Sequence, residues 1–373
     1  MPEDDLQHYY EDPTYWNGIP LVAAHLDRRI SGNPDVDWMD HFAATSGRVF
    51  ERALVLNCGN GWVERAMLDK GIAKRAVGTD ISEQLLDEAR KQCEGRPIEY
   101  VQLDVNTGAL PGEGIDLVVN VAAAHHIRCI DKVFRQLAEI LPPDGCFVSY
   151  DYVGPHRNQW PLQMWSAAWE VNESLPADLR QDMLGYPHLP TMLVTDPSEA
   201  IHSELILETF DRYFTRTEFK AMGGAIAYPL LTHNPRAYTE DQDRWLDEFQ
   251  RIIDADVRHL DEHPEDVLFA YFTGTPKKDV LAERAQLAEW SRIEEEREAA
   301  AERNGGEYYP RTMLQTLYLA LAGTGVTSQP AMDNASERQT TAEAQLRELK
   351  ESRSWRVTVP LRATSDLVRK IRR

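Results

Sequence analysis

Cysteine is scarce in this chain: there are four in 373 residues, at positions 58, 93, 129 and 146, and none forms a C-x-x-C pair. That excludes a disulfide framework and a thiolate-rich zinc cluster as the organising device. Long apolar runs are missing too, since no stretch approaches the roughly 20 residues needed to span a bilayer. The first residues, MPEDDLQHYYEDP, have neither the basic start nor the apolar run of a secretory signal, so a cytoplasmic protein is expected. Positive charge is also short. Forty Lys and Arg stand against 61 Asp and Glu, a net charge of −21 that repels nucleic-acid phosphate over most of the surface. The exception is the C-terminal stretch from Arg347 to Arg373, with nine basic and three acidic residues.

What is present describes a folded protein. A hydrophobic fraction of 42%, with nine Trp, fourteen Tyr and ten Phe, suits one large domain with an appendage. Between residues 50 and 152, short β-branched runs alternate with helix-like segments, the pattern of a parallel sheet with crossover helices. Strands are expected at 53–57, 75–79, 98–103, 115–121 and 146–152. Helices fall near 62–70, 82–93 and 130–141, the second opened by Ser82 and the third stopped by Pro142 and Pro143. Residues 156–208, with NQWPLQMWSAAW and GYPHLP, suggest helices and loops lying over the sheet as a lid. TFDRYFTRTEFKAMGG reads as a strand with a turn, 235–260 as one helix, and 266–274 as a last buried strand.

The expected layout is therefore a domain over 1–276, with a cofactor half at about 50–152 and a lid and substrate region at about 153–235. A charged helix and linker follow at 277–335. A basic tail is expected at 336–373, an amphipathic helix starting at Pro360 with Leu361, Leu367, Val368 and Ile371 near one face and Arg362, Arg369, Lys370, Arg372 and Arg373 elsewhere. Such a tail could sit on an anionic membrane surface at the inner face of the membrane, dock on a partner enzyme, or remain solvated.

The chemistry starts at ALVLNCGNGWVERAM, residues 53–67, a strand running into a glycine turn and a helix. There, glycines let backbone N–H groups approach a ligand, and the helix start adds positive partial charge. The next strand ends in VGTDIS, placing Asp80 where an acid can hydrogen-bond both hydroxyls of a ribose. The third ends in YVQLDVN, bringing Asp104 to the same edge, near an adenine. Asp80 could equally cap the following helix, and Asp104 could simply be a turn residue. Three converging strand ends and the missing G-x-G-x-x-G favour an adenosine with an amino-acid tail over a dinucleotide.

With these motifs, and with VVNVAAAHHI after the fourth strand, residues 50–152 resemble the class I S-adenosylmethionine-dependent methyltransferases. The runs YDYVGPHRNQW and TDPSEAIHSELI are similar to bacterial methyltransferases associated with surface-polysaccharide gene sets, and ESRSWRVTVPLR resembles an ending seen on polysaccharide-building enzymes. The resemblance implies a Rossmann-like α/β sheet, mostly parallel with an antiparallel last strand, a helical lid and a helical C-terminal extension. It implies S-adenosyl-L-methionine as cofactor, held by Asn57, Cys58, Gly59, Asn60, Gly61, Asp80, Ile81, Asp104 and Val105. Two positions depart from the family pattern. Val55 stands where an acid usually orients the methionine ammonium, a part Glu64 could take over, and Asn57 replaces a glycine, although Asn tolerates positive φ.

Methyl transfer needs an aligned acceptor, excluded water and, for a sugar hydroxyl, a base. His125, His126, His156 and Asp151 are the candidates, each with a structural role as the alternative. Tyr152, Arg157, Gln159, Trp160, Glu199 and His202 combine hydrogen-bonding groups with aromatic faces, as a carbohydrate pocket requires, although the aromatics could instead pack the lid. Asp196 and Ser198 read equally well as caps. No acid and histidine cluster at ligand spacing calls for a metal. The expected function is methylation of a sugar hydroxyl on a surface glycan or its precursor. The other reading is a catalytically weak or inactive scaffold in a glycan-assembly complex.

Overall fold

A computed structural model describes residues 14–303 of the chain, Glu240 excepted. The chain divides into two compact units between Leu281 and Ala282. The linker beyond Arg303 and the basic tail at 336–373 lie outside the described residues.

The chain enters through two helices that the periodicity of the central segment does not announce, α1 (Pro20–Ser31) and α2 (Trp38–Ser46). Val22, Leu26 and Ile30 recur every four residues and are buried, so α1 presents one apolar stripe. Asp37 starts α2 by accepting the Asp40 N–H at 2.8 Å. Then follow β1 (Ala53–Leu56), α3 (Trp62–Asp69), β2 (Ala76–Asp80), α4 (Glu83–Gln92), β3 (Ile98–Gln102), β4 (Leu117–Val121), α5 (Ile130–Ile140) and β5 (Cys146–Tyr152). All five expected strands and three expected helices of this half are present. Ser82 opens α4 as anticipated, its hydroxyl accepting the Leu85 N–H.

The later half comprises α6 (Leu162–Ser174), α7 (Leu189–Thr195), α8 (Ile206–Tyr213), β6 (Phe214–Gly223), α9 (Ala227–Leu231), α10 (Leu246–Glu262), β7 (Phe269–Pro276) and α11 (Lys278–Arg303). Here two expectations are corrected. The segment read as a strand with a turn begins as helix α8, because Ile206, Phe210 and Tyr213 fall on one helical face and are fully buried. The single helix expected at 235–260 is two short 3-10 turns followed by α10. Asn234 caps the first turn, and the buried face starts only at Trp245 and Phe249.

The seven strands lie in the order β3-β2-β1-β4-β5-β7-β6. β1 to β5 are mutually parallel, and β7 inserts antiparallel between β5 and β6. The sheet is buried on both faces, so its central strands are continuously apolar. Successive residues point to opposite sides: Ala53 and Val55 join one core with α1, α2, α3 and α10, while Leu54 and Leu56 join Phe134, Phe147, Phe210 and Phe272 in the other. The chain order reverses at β1, whose neighbours are β2 and β4. That switch point opens a crevice at the carboxyl ends of the strands.

Candidate active site

The glycine turn after β1 has the backbone its composition implies. Asn57, Gly59 and Gly61 all take positive φ, at 44°, 55° and 74°. Asn57 thus adopts the left-handed geometry of the glycine it replaces. Its amide Nδ2 donates to the Ala123 carbonyl at 3.3 Å, linking the turn to the loop after β4. Gly61 also answers a packing demand: a Cβ there would stand 2.3 Å from the Tyr100 hydroxyl and 2.9 Å from the Ala89 Cβ. Asn60 accepts the Trp62 N–H with its side chain, and Cys58 is buried with its thiol beside the Gly59 carbonyl.

Asp80 closes the turn from the tip of β2. Its Oδ2 accepts the Gly59 N–H at 2.9 Å and its Oδ1 the Ser82 N–H at 2.8 Å. It is therefore a tie for both the turn and the start of α4, while each oxygen keeps a lone pair for an incoming hydroxyl. Burial raises its pKa against the opposing pull of those N–H donors. Beside it Ile81 is 65% exposed, an apolar side chain left at the strand tip. Asp104 builds a local turn, accepting from the Asn106 N–H and Nδ2 at 2.9 Å and from the Thr107 hydroxyl at 3.2 Å. Asn106 in turn accepts the Arg128 and Cys129 N–H groups, which ties the end of β3 to the segment before α5. Val105 is buried.

Glu64, considered above as a stand-in for an acid at position 55, is 0% exposed, and neither carboxylate oxygen finds a hydrogen-bond donor. Burial pushes its pKa up to about 7 from 4.5. The folded protein then holds a proton that the unfolded chain releases at lower pH, so stability falls as pH rises through this window. Glu64→Gln is expected to stabilise the protein by about 1 to 3 kcal/mol at about pH 8 and hardly at all at about pH 5. Urea melts at the two pH values check this; an equal effect at both would show that Glu64 is ionised throughout.

The second half of the crevice lies at the ends of β4 and β5. Asp151, fully buried on β5, receives four hydrogen bonds besides its contact with histidine. Its Oδ2 accepts from Asn120 Nδ2 at 2.7 Å and from the Ala123 and Ala124 N–H groups at 3.2 and 2.7 Å; its Oδ1 accepts the Tyr152 N–H at 2.7 Å. His125 Nδ1 stands 2.5 Å from the same Oδ1. The other face of His125 meets Glu199, with Nε2 and Oε2 3.6 Å apart, and Glu199 lies 3.8 Å from His126 Nε2. The two rings pack with centroids 4.1 Å apart. His126 Nδ1 is 3.2 Å from the Ser198 hydroxyl.

Burial alone would lower His125, but the Asp151 and Glu199 carboxylates override it and hold its pKa high. Burial would raise both acids, and the His125 charge instead keeps them low. His126 is lowered, by burial and then by the His125 charge beside it. The two carboxylates thus favour a charge on His125, and that charge disfavours a second one on His126 at the open side. Of the four candidate bases, His125 already carries its proton and Asp151 is saturated with donors.

Glu199 reaches this cluster on a loop held by backbone bonds. Ile201 N–H donates to the His125 carbonyl at 3.0 Å, and Arg157 N–H to the Ala200 carbonyl at 2.7 Å. Asp196 makes a turn with Ser198 and Glu199 as a capping residue would. Ala122, Arg157, Asn158 and Ala200 all hold positive φ without being glycine. Strain of this kind, of order 1 to 3 kcal/mol per residue, persists where the surroundings over-determine it and clusters at functional sites.

Other expected site residues sit apart or face inward. His156 pairs with Glu204 at 2.5 Å and packs on His202. Tyr152 and Trp160 are buried and bonded to each other, Trp160 Nε1 donating to the Tyr152 hydroxyl at 3.2 Å. They are interior groups instead of open contact faces, and their polar atoms already have partners. Arg157 and Gln159 are half-buried; the Arg157 guanidinium donates to the Glu199 carbonyl, and Gln159 to the Arg157 and Pro187 carbonyls. Sequence spacing calls for no metal site, yet the fold brings His125, His126 and Glu199 together, with ligand atoms within 4.8 Å of one another. Spacing could not show it, because Glu199 arrives from 73 residues away in the chain. Asn158 carries no sequence signal, whereas Asn120, a polar residue inside the strand LVVNV, does.

Residues 54–149 match the protein family described as "Methyltransferase domain". This segment is a class I methyltransferase domain. Relatives of the chain include an uncharacterized methyltransferase of Mycobacterium tuberculosis, 29% identical over 124 residues and covering 32% of this chain and 60% of that protein. A fatty-acid O-methyltransferase of Mycolicibacterium smegmatis is 25% identical over 160 residues, covering 43% and 55%. Among solved structures, the YcgJ protein of Bacillus subtilis aligns over 64% of this chain and 97% of its own, at 16% identity and a TM-score of 0.38. The chain thus spans about 60% of the length of the first of these relatives. The methyltransferase domain contains the glycine turn, Asp80, Asp104 and both histidines, while Glu199 lies downstream of it. Among the described residues no helix is long and apolar enough to cross a membrane.

Proposed function

We propose that the protein is an S-adenosylmethionine-dependent O-methyltransferase whose acceptor is a hydroxyl on a polar, sugar-like molecule of a surface glycan or its precursor. One observation carries this reading. The turn held by Asp80 and the His125–His126–Glu199 cluster stand at the carboxyl ends of neighbouring strands, and Asn57 ties one to the other.

The residues present fit the donor: Asp80 has lone pairs for ribose hydroxyls, the positive-φ turn exposes backbone without side-chain bulk, and Ile81 offers an apolar face for a base. When bound, S-adenosylmethionine supplies a methyl group on a sulfonium centre, open to in-line displacement. The protein aligns the acceptor oxygen and takes its proton. His126 Nε2 is the neutral imidazole nitrogen at the open side. Glu199 Oε2, 3.8 Å away, offsets the charge that develops on it.

Asp151, Glu199 and Asp196 make this end of the crevice acidic, which favours a neutral hydroxyl over a carboxylate. A carboxylate acceptor is the second reading, supported by the relative named as a fatty-acid O-methyltransferase. Methyl-labelled S-adenosylmethionine offered with a panel of saccharides and fatty acids separates the two. Label is expected on saccharide hydroxyls, and His126→Ala is expected to lower turnover by about 10²- to 10⁴-fold while leaving donor affinity intact. Label confined to fatty acids would favour the second reading. Absence of donor binding at millimolar concentration would leave only the scaffold.

A further inference from the structure

We propose that His125 Nε2, His126 Nε2 and Glu199 Oε2 form a binding site for one divalent transition-metal ion. Glu199 Oε2 is 3.6 Å from one imidazole nitrogen and 3.8 Å from the other, and the ligand atoms of the three residues lie within 4.8 Å of one another. Metal bonds of 2.0–2.2 Å place neighbouring ligand atoms about 3 to 3.5 Å apart. The two carboxylate–imidazole separations need a contraction of a few tenths of an ångström, while the imidazole nitrogens, within 4.8 Å, would close by as much as about 1 to 2 Å.

What distinguishes this trio from a chance meeting of polar groups is its outer layer. A ligating histidine usually engages its other ring nitrogen with a carboxylate, carbonyl or hydroxyl that fixes the ring. Both rings here satisfy that condition. His125 Nδ1 is anchored on Asp151 at 2.5 Å, and Asp151 is itself held by Asn120 and by the Ala123, Ala124 and Tyr152 N–H groups. His126 Nδ1 is anchored on Ser198 at 3.2 Å, and Ser198 bonds to Asp196 at 2.8 Å. The remaining oxygen of Glu199 is 3.3 Å from Asn158 Nδ2, which leaves Oε2 turned to the histidines. Both of these ring nitrogens are Nε2, each ring is fixed from behind, and an ion binding there displaces to water the proton that His125 Nε2 carries without metal.

Two imidazoles and one carboxylate suit zinc, iron, cobalt, nickel or manganese, and not magnesium or calcium, which take all-oxygen sets. The side chains of His126 and Glu199 remain 29% and 28% exposed, so the site is open on one side and keeps coordination positions for water or substrate. Such a site supplies Lewis-acid activation of an acceptor hydroxyl. With metal bound, His126 Nε2 would be a ligand and not the base, so the acidified acceptor hydroxyl would release its proton to water at the open side of the site. This inference deepens the proposed function, but metal binding is measured without any methyl donor, so either can fail alone.

The test uses full-length protein stripped with a chelator and titrated with Zn²⁺ and Co²⁺ by calorimetry and by the visible absorption of Co²⁺, with Mg²⁺ as the contrast. One equivalent of Zn²⁺ or Co²⁺ is expected to bind, with a cobalt spectrum showing nitrogen ligation, and Mg²⁺ is expected not to bind. Glu199→Ala should weaken Zn²⁺ binding by more than about 100-fold, and Ser198→Ala, which touches only the outer layer, by about 10-fold. Glu199→Gln keeps the bond to Asn158 and guards against a folding defect in the alanine variant. No stoichiometric binding, or an affinity unchanged in both Glu199 variants, would overturn the site.

Discussion

Asp151→Ala is expected to lower folding stability by about 3 to 5 kcal/mol, the scale on which breaking a buried, hydrogen-bonded charge pair destabilises a protein. The side chain is wholly buried, and its removal strands several groups at once. The His125 imidazolium loses its nearer counter-ion, while the N–H groups of Ala123, Ala124 and Tyr152 and the Asn120 amide lose their acceptor. Each buried donor left unmade costs about 1 to 3 kcal/mol, although relaxation and water entry keep the total below the sum. Urea denaturation should show a lower midpoint with an unchanged slope. A loss under about 1 kcal/mol would mean that the charge pair is absent and that the β4 and β5 ends are held in another way.

Asp80→Ala is expected to weaken binding of S-adenosylhomocysteine by at least about 100-fold. Two charge-assisted hydrogen bonds to hydroxyls, at about 1.5 to 3 kcal/mol each, account for a loss of that size. The substitution also frees the Gly59 and Ser82 N–H groups, so the turn loses its tie together with its ligand contact. Calorimetry measures the affinity, and a thermal melt separates local loosening from unfolding. An unchanged affinity in a folded variant would remove Asp80 from the donor site.

The cofactor half was readable because its order is written locally. Strand, glycine turn, helix, strand and acid follow one another within 28 residues of the chain, from Ala53 to Asp80, and each element is specified by its own periodicity and cap. The acceptor half was only partly readable. Its histidines and Asp151 could be named, but their roles depend on which charges meet, and Glu199 and Asn158 reach them through a loop with no periodic signal. His156 is equivalent to His126 by composition and is distinguished by its pairing with Glu204. Helix α8 was misread for a related reason: its apolar residues are set in a charged stretch, and burial against Phe134 and Phe147 decides what local propensity leaves open.

Asn57 first stood out as a glycine gone missing. In the folded chain its amide bridges the tip of β1 to the Ala123 carbonyl, across the reversal point of the sheet. A glycine could adopt the same backbone angle but would carry no arm to make that bridge. The consequence is mechanical. The glycine turn and the loop that carries the histidines are fastened to each other, so a ligand that pries one open pulls on the other.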